Sequence, residues 1–428
     1  MVERLSTVYN VFFYLIVPML LVRAFWRGRR FSGYRDRWQE RFSIGLPAGP
    51  AQRPVWIHAV SVGESVAATP IVEEMRERFP DAPILFTTTT PTGADAAMRR
   101  FGDSVLQVYF PYDLPLVVRR FVEHFNPRCL ILMETELWPN LLHCCKTKSV
   151  PVMMANARLS QKSAWQYRRV PSITAAMLSA VDYIAVQGFQ DRDRFLSLGV
   201  DHDAIEVTGN LKFDIDLPSS VMESGRSLRR FLGTSRAVLI AGSTRDGEEE
   251  ILLQVFADLK AKYSDLLLLI APRHPERFDS VAALCRTAGF QISRKSCGDS
   301  CPPESAIYLV DSMGELPSFY AASDVAFVGG SMRPFGGHNV LEPAALGIPV
   351  VVGRYTYNFT EIVGMLSAVG ALTVAENQIA LGNCIEEWFR NSESRDLAGA
   401  AGRRMVAENK GAIGRVVRMI DRVVSLSS

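Results

Sequence analysis

The sequence predicts an α/β protein with two doubly wound parallel sheets that face a cleft. Three observations carry this prediction. Short apolar strands alternate with helical patterns along most of the chain, a more polar stretch interrupts the alternation near the middle, and 428 residues are too many for one ordinary core. We therefore expect domains at 31–215 and 216–400, flanked by an N-terminal segment, 1–30, and a C-terminal helical segment, 401–428.

The N-terminal segment combines an apolar run with a basic flank. Residues 8–22 are apolar except for Asn10 and Pro18, and residues 23–41 contain seven arginines and two acidic residues. A membrane span needs about 20 apolar residues, so the run is marginal, and its charges follow it, unlike those of a cleaved signal peptide. We predict an uncleaved membrane anchor, spanning or lying in the interface, with the rest of the chain on the cytoplasmic side. A buried helix of a soluble domain is the alternative.

Eleven stretches have the length and apolar character of buried parallel strands. In the first half they lie at 55–60, 84–88, 130–133, 150–154, 183–186 and 205–207. In the second half they lie at 238–241, 266–271, 307–310, 325–328 and 349–352. A polar connection is predicted at 212–230, and the pattern past Ala380 is helical.

Composition disfavours several function classes. A net charge of +2 gives no dominant basic surface, so no nucleic-acid partner is expected. The seven cysteines are scattered, which favours reduced thiols over disulfides, and Cys297 and Cys301 lack a second pair of ligands for zinc. No P-loop, HExxH or EF-hand pattern occurs, and no GxGxxG follows the first strand, so ATP hydrolysis, dinucleotide redox chemistry and metalloprotease activity lose support.

The stretch 325–353 reads as strand, glycine-rich loop, helix and strand. Four glycines between 329 and 337 would let backbone amides approach a ligand closely. Asn339 stands at the N-cap of a helix predicted over 340–346, and Gly347 ends that helix. Exposed amides and the helix dipole would suit a phosphate, although an ordinary turn between strand and helix also needs glycine and a cap.

Acidic residues cluster after the predicted strands of the first half, where ligands of open parallel sheets bind. Glu64 stands three residues after Ser61, so it is either a general base or part of a capping box. A helix N-terminus would favour the ionised form that a base requires. Glu134 and Glu136 either divide labour in a site or serve as capping or solvent-facing acids. Lys212 either offsets charge in a transition state or is a solvated lysine of the connection.

Cationic and phosphate-friendly residues cluster after the strands of the second half. Arg273 could contact a phosphate or nucleobase through its guanidinium, or neutralise Glu276 at the surface. Glu342 lies three residues beyond Asn339, so it could complete a capping box or accept hydrogen bonds from ribose hydroxyls. The asymmetry suggests an acceptor held by the first domain and an anionic donor held by the second.

Several motifs combine along the chain. They are HAVSVGE at 58–64, METELWPN at 133–140, TGNLKFD at 208–214, APRH at 271–274, GGS at 329–331 and GHNVLEP at 337–343. Together they resemble the Kdo (3-deoxy-D-manno-octulosonic acid) transferases of lipopolysaccharide synthesis, and the resemblance covers nearly the whole chain. It implies a GT-B glycosyltransferase with two Rossmann-like domains and an N-terminal membrane-anchor helix.

The resemblance also implies a reaction and a set of site residues. Kdo would pass with inversion from CMP-Kdo to the lipid A precursor, lipid IVA, at the cytoplasmic face of the bacterial inner membrane, with no metal or cofactor required. Glu64 matches the family's proposed base, and Glu134 and Lys212 match positions assigned to transition-state stabilisation. The CMP-binding segments match Pro272, Arg273, Met313, Gly314, Glu315, Asn339, Val340, Leu341 and Glu342.

Two other functions stay open at the level of the sequence. One is a GT-B transferase that uses a uridine-diphosphate sugar on a different lipid acceptor. The other is a membrane-tethered protein that binds a nucleotide sugar without catalysis. The nucleotide released when acceptor is supplied distinguishes all three.

Overall fold

The computed structural model describes residues 9–11, 13–19, 22, 26, 36–298 and 301–426. The chain divides into two compact units. The first runs as far as Asp214 and takes in the chain from Gly411 onward, and the second is Ile215–Lys410. Each unit contains one seven-stranded sheet in which all strand pairs are parallel. The predicted α/β class with two parallel-sheet domains is confirmed.

The first sheet reverses its strand order near the middle. Its strands are β1 (Val55–His58), β2 (Ile84–Thr88), β3 (Leu106–Tyr109), β4 (Cys129–Met133), β5 (Val152–Ala157), β6 (Tyr183–Val186) and β7 (Ile205–Val207). They lie in the order β3-β2-β1-β4-β5-β6-β7. The order therefore reverses between β1 and β4, and a ligand of such a sheet binds beyond the carboxyl ends of those strands.

Helices connect these strands, as parallel pairing requires, and one helix from the end of the chain packs on the same sheet. They are Val62–Ala67, Thr69–Arg78, Pro91–Phe101, Pro115–Phe125, Pro139–Thr147, Gln161–Arg168, Pro171–Leu178, Phe189–Leu196 and, from the end of the chain, Ala412–Ser425. Successive residues of a strand point to opposite faces of the sheet, and both faces are covered. Trp56 thus enters one apolar cluster, whereas Val55 and Ile57 enter another.

The second sheet repeats the arrangement. Its strands are β8 (Val238–Thr244), β9 (Leu267–Pro272), β10 (Ile292–Arg294), β11 (Ile307–Leu309), β12 (Val325–Val328), β13 (Val350–Gly353) and β14 (Leu372–Ala375). The order β10-β11-β9-β8-β12-β13-β14 reverses between β8 and β12. The helices of this unit are Ser220–Leu232, Glu249–Lys262, Phe278–Thr287, Leu316–Ala321, Leu341–Ala345, Thr360–Ala368, Gln378–Arg390 and Ser392–Glu408.

All eleven predicted strands are present, and three further strands were missed. The missed strands are β3, β10 and β14, and each lies at an edge of its sheet. Edge strands tolerate polar residues, and these three contain Gln107, Arg294 and Thr373. Without a continuous apolar run, the pattern that identified the central strands is missing.

The predicted polar connection at 212–230 is wrong in extent. The helix Ser220–Leu232 fills much of it and buries Val221, Gly225 and Leu232. A Cβ at Gly225 would lie 2.5 Å from the Cβ of Ala321, so this helix packs closely on its neighbour. The polar residues on one face of this amphipathic helix led to the prediction of a linker.

The C-terminal boundary also differs from the prediction. The proposed border after residue 400 falls inside the helix Ser392–Glu408. The last helix, Ala412–Ser425, places Val416, Ile420 and Val423 in the apolar cluster of the first unit. The described part of 401–428 is largely helical, as predicted, but it is divided between the two units instead of forming a part of its own.

Most of the predicted anchor, residues 1–30, lies outside the described residues. Residues 9–11 and 13–19 are helical. In the part of the chain that the structure describes, no helix is both long enough and apolar enough to cross a membrane.

Candidate active site

Glu64 lies in the short helix Val62–Ala67, just beyond β1. Its carboxylate accepts a hydrogen bond from the Val60 amide at 2.7 Å and another from the Ser61 hydroxyl at 2.9 Å. The Ser61 side chain in turn accepts a bond from the Glu64 amide at 3.5 Å. Helix capping of the kind expected from the sequence is therefore present. It also fixes the carboxylate where the strand order reverses.

Burial, rather than the helix dipole, dominates the titration of Glu64. Only 9% of this residue is exposed, and burial raises the pKa of its carboxyl group. The nearby Glu134 carboxylate acts in the same direction. The hydrogen bonds from the Val60 amide and the Ser61 hydroxyl favour the ionised form, as expected at a helix N-terminus, but burial has the larger effect and the pKa is raised.

A second carboxyl group, Glu136, belongs to the same cluster. Burial raises the pKa of Glu136 to about 7, and repulsion from Glu64 and Glu134 contributes to the shift. The indole N–H of Trp138 donates to the Glu136 carboxylate at 3.0 Å. The structure therefore brings together three acidic residues that follow β1 and β4.

Glu134 has a strained backbone and a cationic partner. Its φ of 57° lies in the left-handed region, which a residue with a Cβ adopts at a cost of roughly 1–3 kcal/mol. The Arg158 guanidinium donates to its carboxylate at 3.1 Å. Strain of this kind persists where the surrounding structure fixes the residue, as at many functional sites.

Lys212 lies on the 3₁₀ turn Leu211–Phe213, which follows β7 at the edge of the first sheet. The side chain of Asn210 accepts a hydrogen bond from the Lys212 amide at 3.0 Å. The side chain of Asn156 accepts one from the Leu211 amide at 3.1 Å. Lys212 is thus a half-buried residue of an ordered turn rather than a lysine in a solvated linker.

A pocket of about 460 Å³ lies in the second unit, at the carboxyl ends of β8, β9 and β11. Six predicted donor-site residues line it: Pro272, Arg273, Met313, Gly314, Asn339 and Glu342. The other three are engaged elsewhere. Val340 and Leu341 are buried in the core, and Glu315 forms an ion pair with Lys295 at 2.7 Å.

The pocket also contains residues that the sequence did not assign to it, including Ser243, Tyr320, His338 and Phe359. Ser243 lies at the end of β8, and His338 is part of a motif, so both positions carried a signal. Tyr320 lies in the helix Leu316–Ala321 and Phe359 directly precedes the helix Thr360–Ala368, and neither position follows a predicted strand. Only the fold brings those two side chains to the pocket.

Arg273 is the exposed cation of this pocket. Among the described residues it forms no ion pair with Glu276, whose carboxylate instead lies 3.8 Å from His274. The surface pairing considered as an alternative role for Arg273 is therefore absent. Burial and the charges of Arg273 and Arg245 lower the pKa of His338 to about 4, so His338 is neutral near pH 7.

We expected the glycine-rich loop to offer its backbone amides to a ligand. Its first amides are instead bonded within the protein. The buried carboxylate of Glu248 accepts hydrogen bonds from the amides of Gly330, Ser331 and Met332 at 2.7–2.9 Å. A Cβ at Gly329 would lie 2.5 Å from the Ser243 carbonyl oxygen. Glycine is needed here for close packing within the protein.

The helix after this loop is shorter than predicted. It spans Leu341–Ala345, five residues against the seven of 340–346, and Gly347 follows with a φ of 80°. The Asn339 side chain accepts a hydrogen bond from the Leu341 amide at 3.1 Å and donates to Glu342 at 3.1 Å. The N-cap residue is Val340, which makes no side-chain cap, so Asn339 lies one residue before the cap and instead bonds the amide of the first helical residue. A helix of little more than one turn has too small a dipole to hold a phosphate by itself.

All seven cysteines are free thiols, as composition predicted. Within the described residues, no group of three or more histidine, cysteine, aspartate or glutamate side chains is arranged to hold a metal ion.

Comparisons with known proteins agree with the motifs. The family model described as 3-Deoxy-D-manno-octulosonic-acid transferase (kdotransferase) matches residues 36–215, and that of Glycosyl transferases group 1 matches 242–405. A 3-deoxy-D-manno-octulosonic acid transferase of Haemophilus influenzae is 42% identical over 90% of this chain and 91% of its own length. The chain belongs to the Kdo transferase family. A Kdo transferase of Bordetella pertussis is 35% identical over 95% of this chain and 96% of its own length.

Solved structures extend the comparison for this Kdo transferase. UDP-GlcNAc 2-epimerase from Neisseria meningitidis is 14% identical over 87% of this chain and 100% of its own, with a TM-score of 0.55. A glycosyltransferase from Rickettsia africae is 13% identical over 88% of this chain and 98% of its own, with a TM-score of 0.53. These likenesses show a shared GT-B-like fold alone. With the family established, the chain is an enzyme, a glycosyltransferase that transfers Kdo.

Proposed function

We propose that this Kdo transferase moves Kdo from CMP-Kdo to the lipid A precursor at the inner membrane, with inversion, and that Glu64 is the general base. The proposal rests on one observation, the position and environment of the Glu64 carboxylate. Two hydrogen bonds fix its carboxylate where the first sheet reverses its order, and burial raises its pKa. A carboxylate whose pKa moves toward the working pH is a stronger base than an ordinary glutamate.

In the proposed reaction, Glu64 accepts the proton of the acceptor hydroxyl while the oxygen of that hydroxyl forms a bond to the anomeric carbon of Kdo. The bond between that carbon and the phosphate oxygen breaks, and CMP leaves with the bonding electrons. Cations such as Lys212 and Arg273 offset the negative charge that develops on the leaving phosphate. Glu134 is the proposed partner for positive charge at the anomeric carbon.

The pocket in the second unit is the proposed site for CMP. Its volume of about 460 Å³ lies in the usual range for small-molecule sites. Arg273 can direct its forked donors to the phosphate, and Glu342 can accept hydrogen bonds from ribose hydroxyls. Because Glu248 occupies the first loop amides, we expect side chains to provide most of the contacts with the phosphate.

The acceptor and the membrane belong to the same proposal. The described part of the N-terminal segment exposes large apolar side chains, among them Leu15 and Met19, which are 73% and 63% exposed. The segment 23–41 contains seven arginines, and an anionic glycolipid would be attracted to that charge. An acceptor embedded in the cytoplasmic face of the inner membrane fits both features.

The test is Glu64→Gln, measured as CMP release from CMP-Kdo with the lipid A precursor present. Loss of a general base lowers turnover roughly 100- to 10,000-fold. CMP binding should stay unchanged, because Glu64 is not in the CMP pocket. Mass spectrometry of the wild-type glycolipid product identifies donor, acceptor and number of Kdo units from one mass shift.

The matched control is Glu73→Gln, an exposed glutamate on the next helix, Thr69–Arg78. It should keep wild-type turnover. If Glu64→Gln also keeps turnover within a few fold, Glu64 serves only as a helix cap. If the wild type releases UDP from a uridine-diphosphate sugar instead, the donor in the proposal is wrong.

A further inference from the structure

Glu248 forms an unusual set of contacts for a fully buried carboxylate. It follows β8 and is 0% exposed. One carboxylate oxygen accepts hydrogen bonds from the amides of Arg245 and Gly330 at 2.9 and 2.7 Å. The other accepts hydrogen bonds from the amides of Ser331 and Met332 at 2.9 and 2.8 Å. Four backbone donors thus converge on one internal anion.

These contacts connect the end of β8, which lines the pocket, with the loop that leads to His338 and Asn339. Arg245 follows β8, and Gly330 follows β12, the strand next to β8. The carbonyl of Gly330 accepts a hydrogen bond from the Gly337 amide at 2.7 Å, which closes the loop just before His338 and Asn339. A shift of Gly330 would therefore be transmitted to the residues that line the pocket.

The neighbouring strand β9 is joined to the same structure. The amide of Arg273 donates to the carbonyl of Thr244 at 3.0 Å. The guanidinium of Arg333, within the loop, donates to the carbonyl of Gly247 at 3.2 Å, and Arg245 lies 4.4 Å from the ring centre of Phe335. The turn at 245–248 and the loop at 330–335 therefore pack as one body beside the pocket.

We propose that Glu248 is a positioning residue of the donor site, whose carboxylate occupies the place of an anion in the glycine-rich loop and thereby holds His338, Asn339 and Glu342 in the geometry that binds CMP. This inference rests on the proposed function, since it takes the pocket to be the CMP site. Glu248 itself does not line the pocket and is not a catalytic residue.

The arrangement requires a carboxylate of this length. A glutamine would keep the shape but would replace one acceptor oxygen with an NH₂ group, so two backbone amides would face a donor instead of an acceptor. An aspartate would keep the charge, but its side chain is shorter by one methylene and cannot reach all four amides at these distances. Glu248→Gln and Glu248→Asp therefore disturb the loop in two different ways.

The next residue provides a matched control. Glu249 is equally buried, at 0% exposure. Its carboxylate accepts hydrogen bonds from the Thr244 hydroxyl at 2.7 Å and from the Arg277 guanidinium at 2.7 and 3.0 Å, and none from the glycine-rich loop. Glu249→Gln therefore removes a buried charge of the same kind without releasing the loop.

The experiment measures CMP binding by titration calorimetry and stability by thermal unfolding, for the full chain and the three variants. We expect Glu248→Gln to bind CMP at least about tenfold more weakly than wild type, because the pocket loop loses its fixed position. Glu249→Gln should lose comparable stability and keep wild-type affinity. The contrast between the two variants separates positioning from a general loss of stability.

Each outcome has one meaning. Wild-type protein that does not bind CMP contradicts the proposed function itself. Wild-type affinity in Glu248→Gln, or an equal loss in Glu249→Gln, overturns the role of Glu248. If Glu248→Gln does not fold, Glu248→Asp takes its place, with weakened CMP binding expected and wild-type affinity overturning the inference. If neither variant folds while Glu249→Gln does, Glu248 serves the stability of the unit alone.

Discussion

Glu64 and Glu136 repel each other's negative charge, so their carboxyl groups titrate as a pair. Burial raises the pKa of both and brings that of Glu136 to about 7. The Glu134 carboxylate adds to the upward shift of both groups. We therefore assign Glu134 a role in tuning Glu64, whereas the sequence left the division of labour between Glu134 and Glu136 open.

Replacing Glu134 tests this effect. Glu134→Gln removes a negative neighbour, which lowers the pKa of Glu64. A base must be ionised to act, so turnover is lost as pH falls through its pKa. The acidic limb of the kcat–pH profile should then move to lower pH, and the plateau should fall because Glu134 is also the proposed partner for positive charge at the anomeric carbon. A limb that stays in place, or moves to higher pH, would show that Glu134 does not act on the base in the working enzyme.

Arg273 gives a second prediction at the scale of one residue. A hydrogen bond to a charged group contributes about 1.5–3 kcal/mol, so Arg273→Ala should weaken CMP binding by roughly 10- to 100-fold. Arg273→Lys should restore only part of the affinity, because an ammonium cannot form the bidentate contact. Glu276→Ala is the control and should bind CMP normally. Calorimetric titration that gives equal affinities for Arg273→Ala and wild type would remove Arg273 from the site.

At the scale of elements, the helix Leu341–Ala345 beside the proposed donor site depends on one close contact. A Cβ at Gly399, in the helix Ser392–Glu408, would lie 2.0 Å from the carbonyl oxygen of Gly347, which follows this helix. Gly347 has a φ of 80°, so the turn has little freedom to move away. The sequence alone showed two ordinary glycines, about fifty residues apart.

The contact predicts opposite effects for two glycine-to-alanine changes. Gly399→Ala should destabilise the enzyme by about 1–3 kcal/mol through overpacking. Gly364→Ala, in the helix Thr360–Ala368, has no heavy atom within 4 Å of its new Cβ and should be neutral or stabilising by roughly 0.5–1 kcal/mol. Thermal unfolding of both variants provides the measurement. An unchanged unfolding midpoint for Gly399→Ala would show that the turn at Gly347 can move to make room for the new Cβ.

Elements differed in how far the sequence could predict them. Central strands were predictable because burial on both faces produces continuous apolar runs, whereas the edge strands β3, β10 and β14 lack that pattern. The cap at Ser61 and the contact between Asn339 and Glu342 were predictable because each joins residues three apart, although the N-cap of the second helix is Val340. The partner of the glycine-rich loop was not, since Glu248 is more than eighty residues away in sequence. No local sequence pattern shows which carboxylate binds the backbone amides of the loop.

At the scale of the whole molecule, the chain returns to its first unit for its last helix, Ala412–Ser425. Asp214 accepts hydrogen bonds from the amides of Gly411 and Ile413, so the place where the chain leaves this unit adjoins the place where it re-enters. The sequence predicted that this part of the chain is helical. It could not predict which of the two sheets the last helix would cover.

The described part of the N-terminal segment has two different sides. The Tyr9 hydroxyl donates to the Asp113 carboxylate at 2.9 Å, and the Asn140 side chain donates to Asn10 at 2.8 Å. Large apolar side chains on the same segment are exposed to solvent, including Val11, Tyr14, Leu15 and Met19. Polar contacts thus hold the segment on the first unit, while its exposed apolar side chains are available to a lipid surface.

Charge placed on the apolar side should release the enzyme from membranes. Leu15 and Met19 lie four residues apart on one helical face, and the hydrogen bonds to Asp113 and Asn140 come from Tyr9 and Asn10. Burying a large apolar side chain contributes about 1.5–3 kcal/mol, so Leu15→Glu with Met19→Glu should lower binding to anionic vesicles at least about a hundredfold. The control is Ile379→Glu with Leu397→Glu, which replaces equally exposed residues of the second unit and should leave binding unchanged. Vesicle sedimentation measures both variants. Equal sedimentation would show that the apolar side of the N-terminal segment is not what binds the membrane.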